Sequence, residues 1–236
     1  YGTPTTFALE EGIAEIENGY RTIATSSGMS SISITLLSFL SKDDQCLISD
    51  CTYFPTKKFA VKILSKFGVK VDFYDPTNID SLKKRINRKT KLIFMESPAS
   101  LTFEIEDISE ITKIAKKRKI ITVMDNSWAT PFYFLPIKHG IDVSILAATK
   151  YISGHADTML GLITVKNEKL FLKIKDNAVS LGDCPGPQEC YLSLRGLRTL
   201  SARLENHRSS ALKIARLLEN NDKVSKVLHP ALPKND

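Results

Sequence analysis

The stretch Ser144-Ile-Leu-Ala-Ala-Thr-Lys150-Tyr-Ile-Ser-Gly-His155-Ala-Asp-Thr158 sets one lysine between an apolar strand and a glycine-containing turn. Val143 to Ala148 is an apolar run, interrupted only by Ser144, and reads as a buried strand. A lysine at the end of such a strand is expected to be drawn out of water. Desolvation lowers the pKa of its amine, and the neutral amine can form a Schiff base with an aldehyde. The plainer alternative is a strand-end lysine that keeps its head in water. Lys150 is the first candidate for a catalytic residue.

A second apolar run, Ile120 to Met124, ends on an acid in the string Val123-Met-Asp125-Asn-Ser-Trp128-Ala. An acid at one strand end and a lysine at a later one suit pyridoxal 5'-phosphate (PLP), whose pyridine nitrogen a carboxylate keeps protonated so that the ring can act as an electron sink. Asp125 is the candidate for that contact. The phosphate needs backbone donors. Gly28-Met29 follows a short strand, Thr22 to Thr25, and opens an amphipathic helix running through Leu40. The N–H groups there can face an anion at the positive end of the helix dipole, and glycine lets the backbone approach closely. Thr149 can add a hydroxyl to the same phosphate, or be an ordinary β-branched strand residue.

Strands and helices alternate along the chain, which predicts an α/β fold with a mostly parallel sheet sandwiched by helices. Further strands are expected at Cys46 to Ser49, Val69 to Tyr74, Lys91 to Met95 and Leu160 to Val165. Helices are expected over Thr56 to Phe67, Ile79 to Ile86, Ile108 to Lys117 and the long stretch Pro187 to Leu218. Leu9, Ile13 and Ile16 fall on one face of a first helix, which Asn18-Gly19 can end. Residues 1–218 are expected to form one large domain, and 219–236, through Val224 to Leu228, to begin a smaller C-terminal one.

The strings AATKYISGHAD, MDNSWAT, ESPASLT, SGMSSIS, GTPTTFALEEGIAEIENG and LRGLRTLSARLENH together resemble the Cys/Met-metabolism family of PLP enzymes, whose motif order they keep across nearly the whole chain. The bacterial cystathionine beta-lyases are the most similar branch. The gamma-lyases and gamma-synthases commonly carry a serine two positions ahead of the threonine, where this chain has Ala147 followed by Ala148. The resemblance implies the PLP-dependent transferase-like large-domain (aminotransferase) fold and a carbon–sulfur lyase that beta-eliminates cystathionine to homocysteine, pyruvate and ammonia in methionine biosynthesis and transsulfuration. It also implies a cytoplasmic homotetramer acting on a small sulfur amino acid.

Lys150 is then expected to carry PLP and move the Cα proton. Tyr53, in the loop Asp50-Cys-Thr-Tyr53-Phe-Pro55, matches the family's tyrosine that stacks on the pyridine ring, where its phenol can take part in proton transfer. Without that motif Tyr53 would read as a half-buried loop aromatic. Trp128 reads equally well as pocket lining or as core. Glu96-Ser97-Pro98 is expected to scaffold the pocket, and Arg195-Gly-Leu-Arg198-Thr to pack helices and contact another domain. The family's phosphate-binding tyrosine and arginine would precede Tyr1, and its substrate-carboxylate arginine would follow Asp236. A truncated product is therefore expected, and a non-catalytic remnant is one alternative; a gamma-lyase, gamma-synthase or methionine gamma-lyase type is the other.

The 236 residues, 42% hydrophobic and 25% charged, suffice for a sizeable core. Cys46, Cys51, Cys184 and Cys190 form no CxxC or Cys/His pattern, so they read as reduced thiols, and no metal site is expected. No apolar run is long enough for a membrane span. The net charge of +7 could attract nucleic acid, but Lys83, Lys84, Arg85, Arg88, Lys89, Lys113, Lys116, Lys117, Arg118 and Lys119 lack interleaved aromatics and read as solvated helix faces.

Overall fold

In the computed structural model, residues 2–232 are described; Tyr1 and 233–236, the end of the segment expected to lead into a further domain, lie outside them. The elements run α1 (Pro4–Ile16), β1 (Arg21–Thr25), α2 (Gly28–Phe39), β2 (Gln45–Ser49), α3 (Phe54–Lys62), β3 (Lys70–Tyr74), α4 (Ile79–Arg85), β4 (Thr90–Glu96), α5 (Ile108–Arg118), β5 (Ile121–Asp125), α6 (Thr130–Tyr133), β6 (Val143–Ala147), β7 (Gly161–Val165), α7 (Glu168–Ser180), α8 (Pro187–Leu197) and α9 (Leu200–Glu219). Every strand expected from the sequence is present, with ends shifted by at most a residue or two. The sheet order is β1-β7-β6-β5-β4-β2-β3. Pairing is parallel from β6 through β3, whereas β7 runs antiparallel to both neighbours. The expected mostly parallel α/β sheet is the one found.

Alternation along each strand divides the core into two layers. Ile48, Phe94, Val123, Val143, Ile145 and Ile163 pack with Ile32 and Leu36 of α2 and Ile174 of α7. From the other face Leu146 and Leu162 meet Leu9 and Ile13 of α1 and Leu204 of α9. Farther along that face Leu47, Ile93 and Met95 meet Leu82 and Ile111 of α4 and α5. Each fully buried leucine, isoleucine or phenylalanine here contributes roughly 1.5–3 kcal/mol of transfer free energy.

Three expectations about helices are corrected. Ile16 does not join Leu9 and Ile13 inside; it is the last residue of α1 and stands exposed, while Ala14 is buried instead. The single helix expected over Thr56 to Phe67 begins two residues earlier and breaks at Ile63, where a 3-10 turn over Leu64–Phe67 takes over and Gly68, at φ 78°, stops it. The stretch Pro187 to Leu218 is two helices, because the chain turns at Arg198 and Thr199. Residues 221–232 form neither helix nor strand.

The start of α2 is seated unusually close to the sheet. A Cβ on Gly28 would lie 2.8 Å from the Ala147 Cβ, and one on Gly161 would lie 2.2 Å from Ser27 O. Any larger residue at Gly161 therefore pushes the helix start off β7. Glu17 is a second device, a carboxyl fully buried behind the sheet. It accepts from Ser144 Oγ at 2.9 Å through Oε1, and Oε2 has no partner. Burial pushes its pKa up to about 7, against hydrogen bonds that pull it down.

Two outcomes follow for stability. Gly161→Ala is expected to cost about 1–3 kcal/mol, the usual range for overpacking; an unchanged urea midpoint would contradict the close seating. Because the Glu17 pKa is raised on folding, its stabilisation is complete below the unfolded value of 4.5 and is lost as pH climbs through about 7. Urea unfolding at pH 5 and pH 8 should show the chain weaker at pH 8. Glu17→Gln should remove on the order of 3 kcal/mol of that difference; an identical pH dependence in the variant would rule the buried acid out as its source.

Candidate active site

β1, β4, β5 and β6 point the same way, so their carboxyl ends share one edge of the sheet, where ligands bind in open α/β folds. A cavity of about 1180 Å³ opens there. It is lined by Gly28, Met29, Tyr53, Asp125, Thr149 and Lys150, so all six candidates from the sequence come together. Trp128 lines it too, its ring edge-to-face with Phe103 at 5.9 Å.

The start of α2 forms a corner suited to an anion. Ser27 caps the helix in an extended conformation and its Oγ accepts from Ser30 N–H at 3.0 Å. Gly28 and Met29 occupy the first two helical positions, whose amides have no acceptor within the helix. Two free N–H groups and the Ser27 hydroxyl proton are thus available at the positive end of a three-turn helix. Ser27 was not among the sequence candidates, although a serine just ahead of a helix is a capping signal. Thr149 stands differently from expectation. Its Oγ1 donates to Leu160 O at 3.2 Å and accepts from Leu160 N–H at 2.9 Å, so its hydroxyl is committed to joining the turn after β6 to the start of β7.

Lys150 also departs from expectation: it is exposed, not withdrawn from water. The reason is local. β6 ends at Ala147, and Ala148 to Lys150 form a turn in which Lys150 N–H donates to Ala147 O at 3.0 Å, setting the lysine on the open cavity wall.

Acids line the same cavity. Asp125 ends β5 beside Glu96, which ends β4. Asp125 is 8% exposed and its Oδ1 accepts from Ser127 N–H at 3.0 Å. Burial raises the pKa of both carboxyls; for Glu96 the neighbouring Asp125 charge adds to the rise. The pair therefore holds on to a proton that isolated acids would lose. Glu96 also places Tyr53, accepting its backbone N–H at 2.7 Å through Oε2 while Ser100 Oγ donates to Oε1. Behind it, Glu106 accepts from Glu96 N–H at 3.1 Å and from Tyr74 Oη at 2.6 Å. Burial pushes the Glu106 pKa up to about 7. Tyr53 itself sits at the start of α3 with its side chain on the cavity.

The family model described as Cys/Met metabolism PLP-dependent enzyme matches residues 1–236. The chain is 40% identical to a cystathionine beta-lyase of Lactococcus lactis subsp. cremoris, over 98% of its own length and 60% of the relative's. It is 41% identical to an L-alanine/L-glutamate racemase of Wolbachia pipientis, over 98% of its length and 57% of the relative's. The crystal structure of metB from Corynebacterium glutamicum superposes with a TM-score of 0.96 at 31% identity, covering 98% of this chain and 60% of that one. The chain thus spans about three-fifths of the proteins it matches. With a cavity at the carboxyl ends of parallel strands and a match along its whole length, the chain belongs to the Cys/Met metabolism family of PLP-dependent enzymes.

Proposed function

We propose that this chain is the cofactor-binding part of a carbon–sulfur lyase that beta-eliminates cystathionine to homocysteine, pyruvate and ammonia. The observation that carries the reading is the convergence of the free α2 amides, Asp125, Tyr53 and Lys150 on one cavity. These residues fit PLP. The Gly28 and Met29 N–H groups, with the Ser27 hydroxyl, would hold the phosphate, and Asp125 would face the pyridine nitrogen. A cation there favours the ionised form of Asp125 and leaves the shared proton on Glu96, which relieves the repulsion between the two acids. Tyr53 would lie on the ring. When bound, PLP withdraws electrons from the substrate Cα.

The rest falls to the chain. Lys150 Nζ, on the exposed wall, would remove the Cα proton and deliver it to the sulfur as the Cβ–S bond breaks. Glu96 keeps Tyr53 in place through the backbone. In this reading residues 1–218 form the large domain and 219–236 begin a smaller one. The protein works in the cytoplasm as a homo-oligomer on a small sulfur amino acid; no helix among the described residues is long and apolar enough to cross a membrane.

A second reading rests on the racemase relative. Removal of the Cα proton by a lysine serves racemisation as well as elimination, so the residues above suit both.

PLP added to the purified chain and reduced with borohydride should leave its mass on the peptide containing Lys150; labelling confined to another lysine would refute the assignment. Asp125→Ala should lower pyruvate release from cystathionine by about a hundredfold, the scale of losing one preorganised electrostatic contact; an unchanged rate would remove Asp125 from the site. No pyruvate, together with conversion of L-alanine or L-glutamate to the D form, would establish the second reading instead.

A further inference from the structure

The turn that carries Lys150 ends in a crowd of carbonyl oxygens. Past β6 the chain coils once: Ser153 N–H donates to Ala148 O and Gly154 N–H to Lys150 O, each at 2.9 Å. As at any helix end, the next carbonyls, those of Tyr151 and Ile152, have no following turn to donate to them. The end of α8 presses on the same spot. A Cβ on Gly196 would lie 2.2 Å from Ser153 O and 2.4 Å from Ile152 O, so glycine brings α8 and the turn into backbone contact. Gly196 O then adds a further oxygen to the group. Oxygens converging in this way repel one another, and buried carbonyls need donors.

Thr199 N–H and Oγ1 each donate to Gly196 O at 3.1 Å, and one side chain supplies the other donors. Arg203, in the first turn of α9, donates from Nη1 to Tyr151 O at 2.8 Å and from Nη2 to Gly196 O at 2.8 Å and Ile152 O at 3.4 Å. Its Nε donates to Thr199 Oγ1 at 3.0 Å. The guanidinium lies where a Cβ on Gly154 would stand, 2.3 Å from Nη1, and Gly154 itself takes φ 74°. No carboxylate among the described residues pairs with Arg203, in contrast to Arg195, which meets Asp157 at 3.4 Å. Its hydrogen-bond partners are three carbonyls and one hydroxyl. A lysine could not replace it, because one ammonium on a flexible stem lacks the planar fork that reaches both sides of the gap.

We propose that Arg203 is a positioning residue for Lys150: by gathering the carbonyls of the turn and of α8, it holds the coil that presents Lys150 to the cavity. This rests on the reading of Lys150 as the PLP-bearing lysine. Lys150 follows β6 by only three residues, so the placement of its Cα is set at one end by the sheet and at the other by this guanidinium.

The test compares the wild-type chain with Arg203→Lys and Arg203→Ala at low temperature, where circular dichroism reports the folded fraction. PLP is added, borohydride stops the reaction at timed intervals, and the mass on the Lys150 peptide is counted per folded molecule. Both variants are expected to label Lys150 about tenfold or more slowly, as for a misplaced reacting group, with no rescue by lysine. A purely structural arginine would lower the melting temperature and leave labelling of folded protein unchanged, and that result overturns the proposal. If neither variant folds, Thr199→Val decides, since it removes the Nε acceptor, together with the Oγ1 hydrogen bond to Gly196 O, and leaves the guanidinium in place: slower labelling supports the proposal, and a wild-type rate overturns it. Labelling of another lysine in the wild type would overturn the assignment of Lys150 itself, so the two failures are told apart.

Discussion

The seating of the α2 start on the ends of β6 and β7 is the constraint on which the site depends. Gly28 against Ala147 and Gly161 under Ser27 leave no room for a side chain, so the first amides of the helix are carried to the carboxyl edge of the sheet. That proximity places a helix N-terminus on the same cavity as Lys150 and the acids that end β4 and β5. Were the helix to ride higher by the width of a methyl group, its dipole and the lysine would serve different spaces.

Buried acids give the other side of the site its character. Glu96 and Glu106 are drawn inside by hydrogen bonds that organise backbone: one holds the start of α3, the other holds the β4 backbone at Glu96 and the Tyr74 hydroxyl. Each keeps its proton more tightly because burial disfavours the charge. Of the acids, Glu96 and Asp125 line the cavity, and the one that ionises suits a cationic ring nitrogen, whereas the helix start and Lys150 suit an anion.

Much of this was legible in the sequence. Seven short segments rich in apolar and β-branched residues, punctuated by turn residues, located seven strands, and the ends of three of them located Asp125, Lys150 and the Gly28-Met29 corner. What could not be read was geometry across the chain. Nothing in Leu160 to Val165 shows that this strand runs against its neighbours, since strand direction follows from connection and packing. The exposure of Lys150 depends on where β6 stops and how the next turn coils; the apolar run gave no sign of that, and burial was the natural reading. Glu17 beside Asn18-Gly19 looks like a solvated helix end until Ser144 is found opposite it. Arg203 looks like one more cation on a basic helix, because its partners are carbonyls and carbonyls leave no mark on the sequence.

The antiparallel strand also bears on the order of folding. β1 pairs only with β7, Arg21 lying opposite Val165, so its backbone groups wait through most of the chain for a partner. Such a long loop closure is slow, and an unpaired strand edge invites contact with other chains. During synthesis the strands from β2 to β6 can associate in parallel, with α2 packed on them, while β1 remains unpaired. The corner at the start of α2 therefore takes its seat only when Gly161 arrives beneath Ser27, and closing this edge of the sheet and shaping the candidate site become the same event.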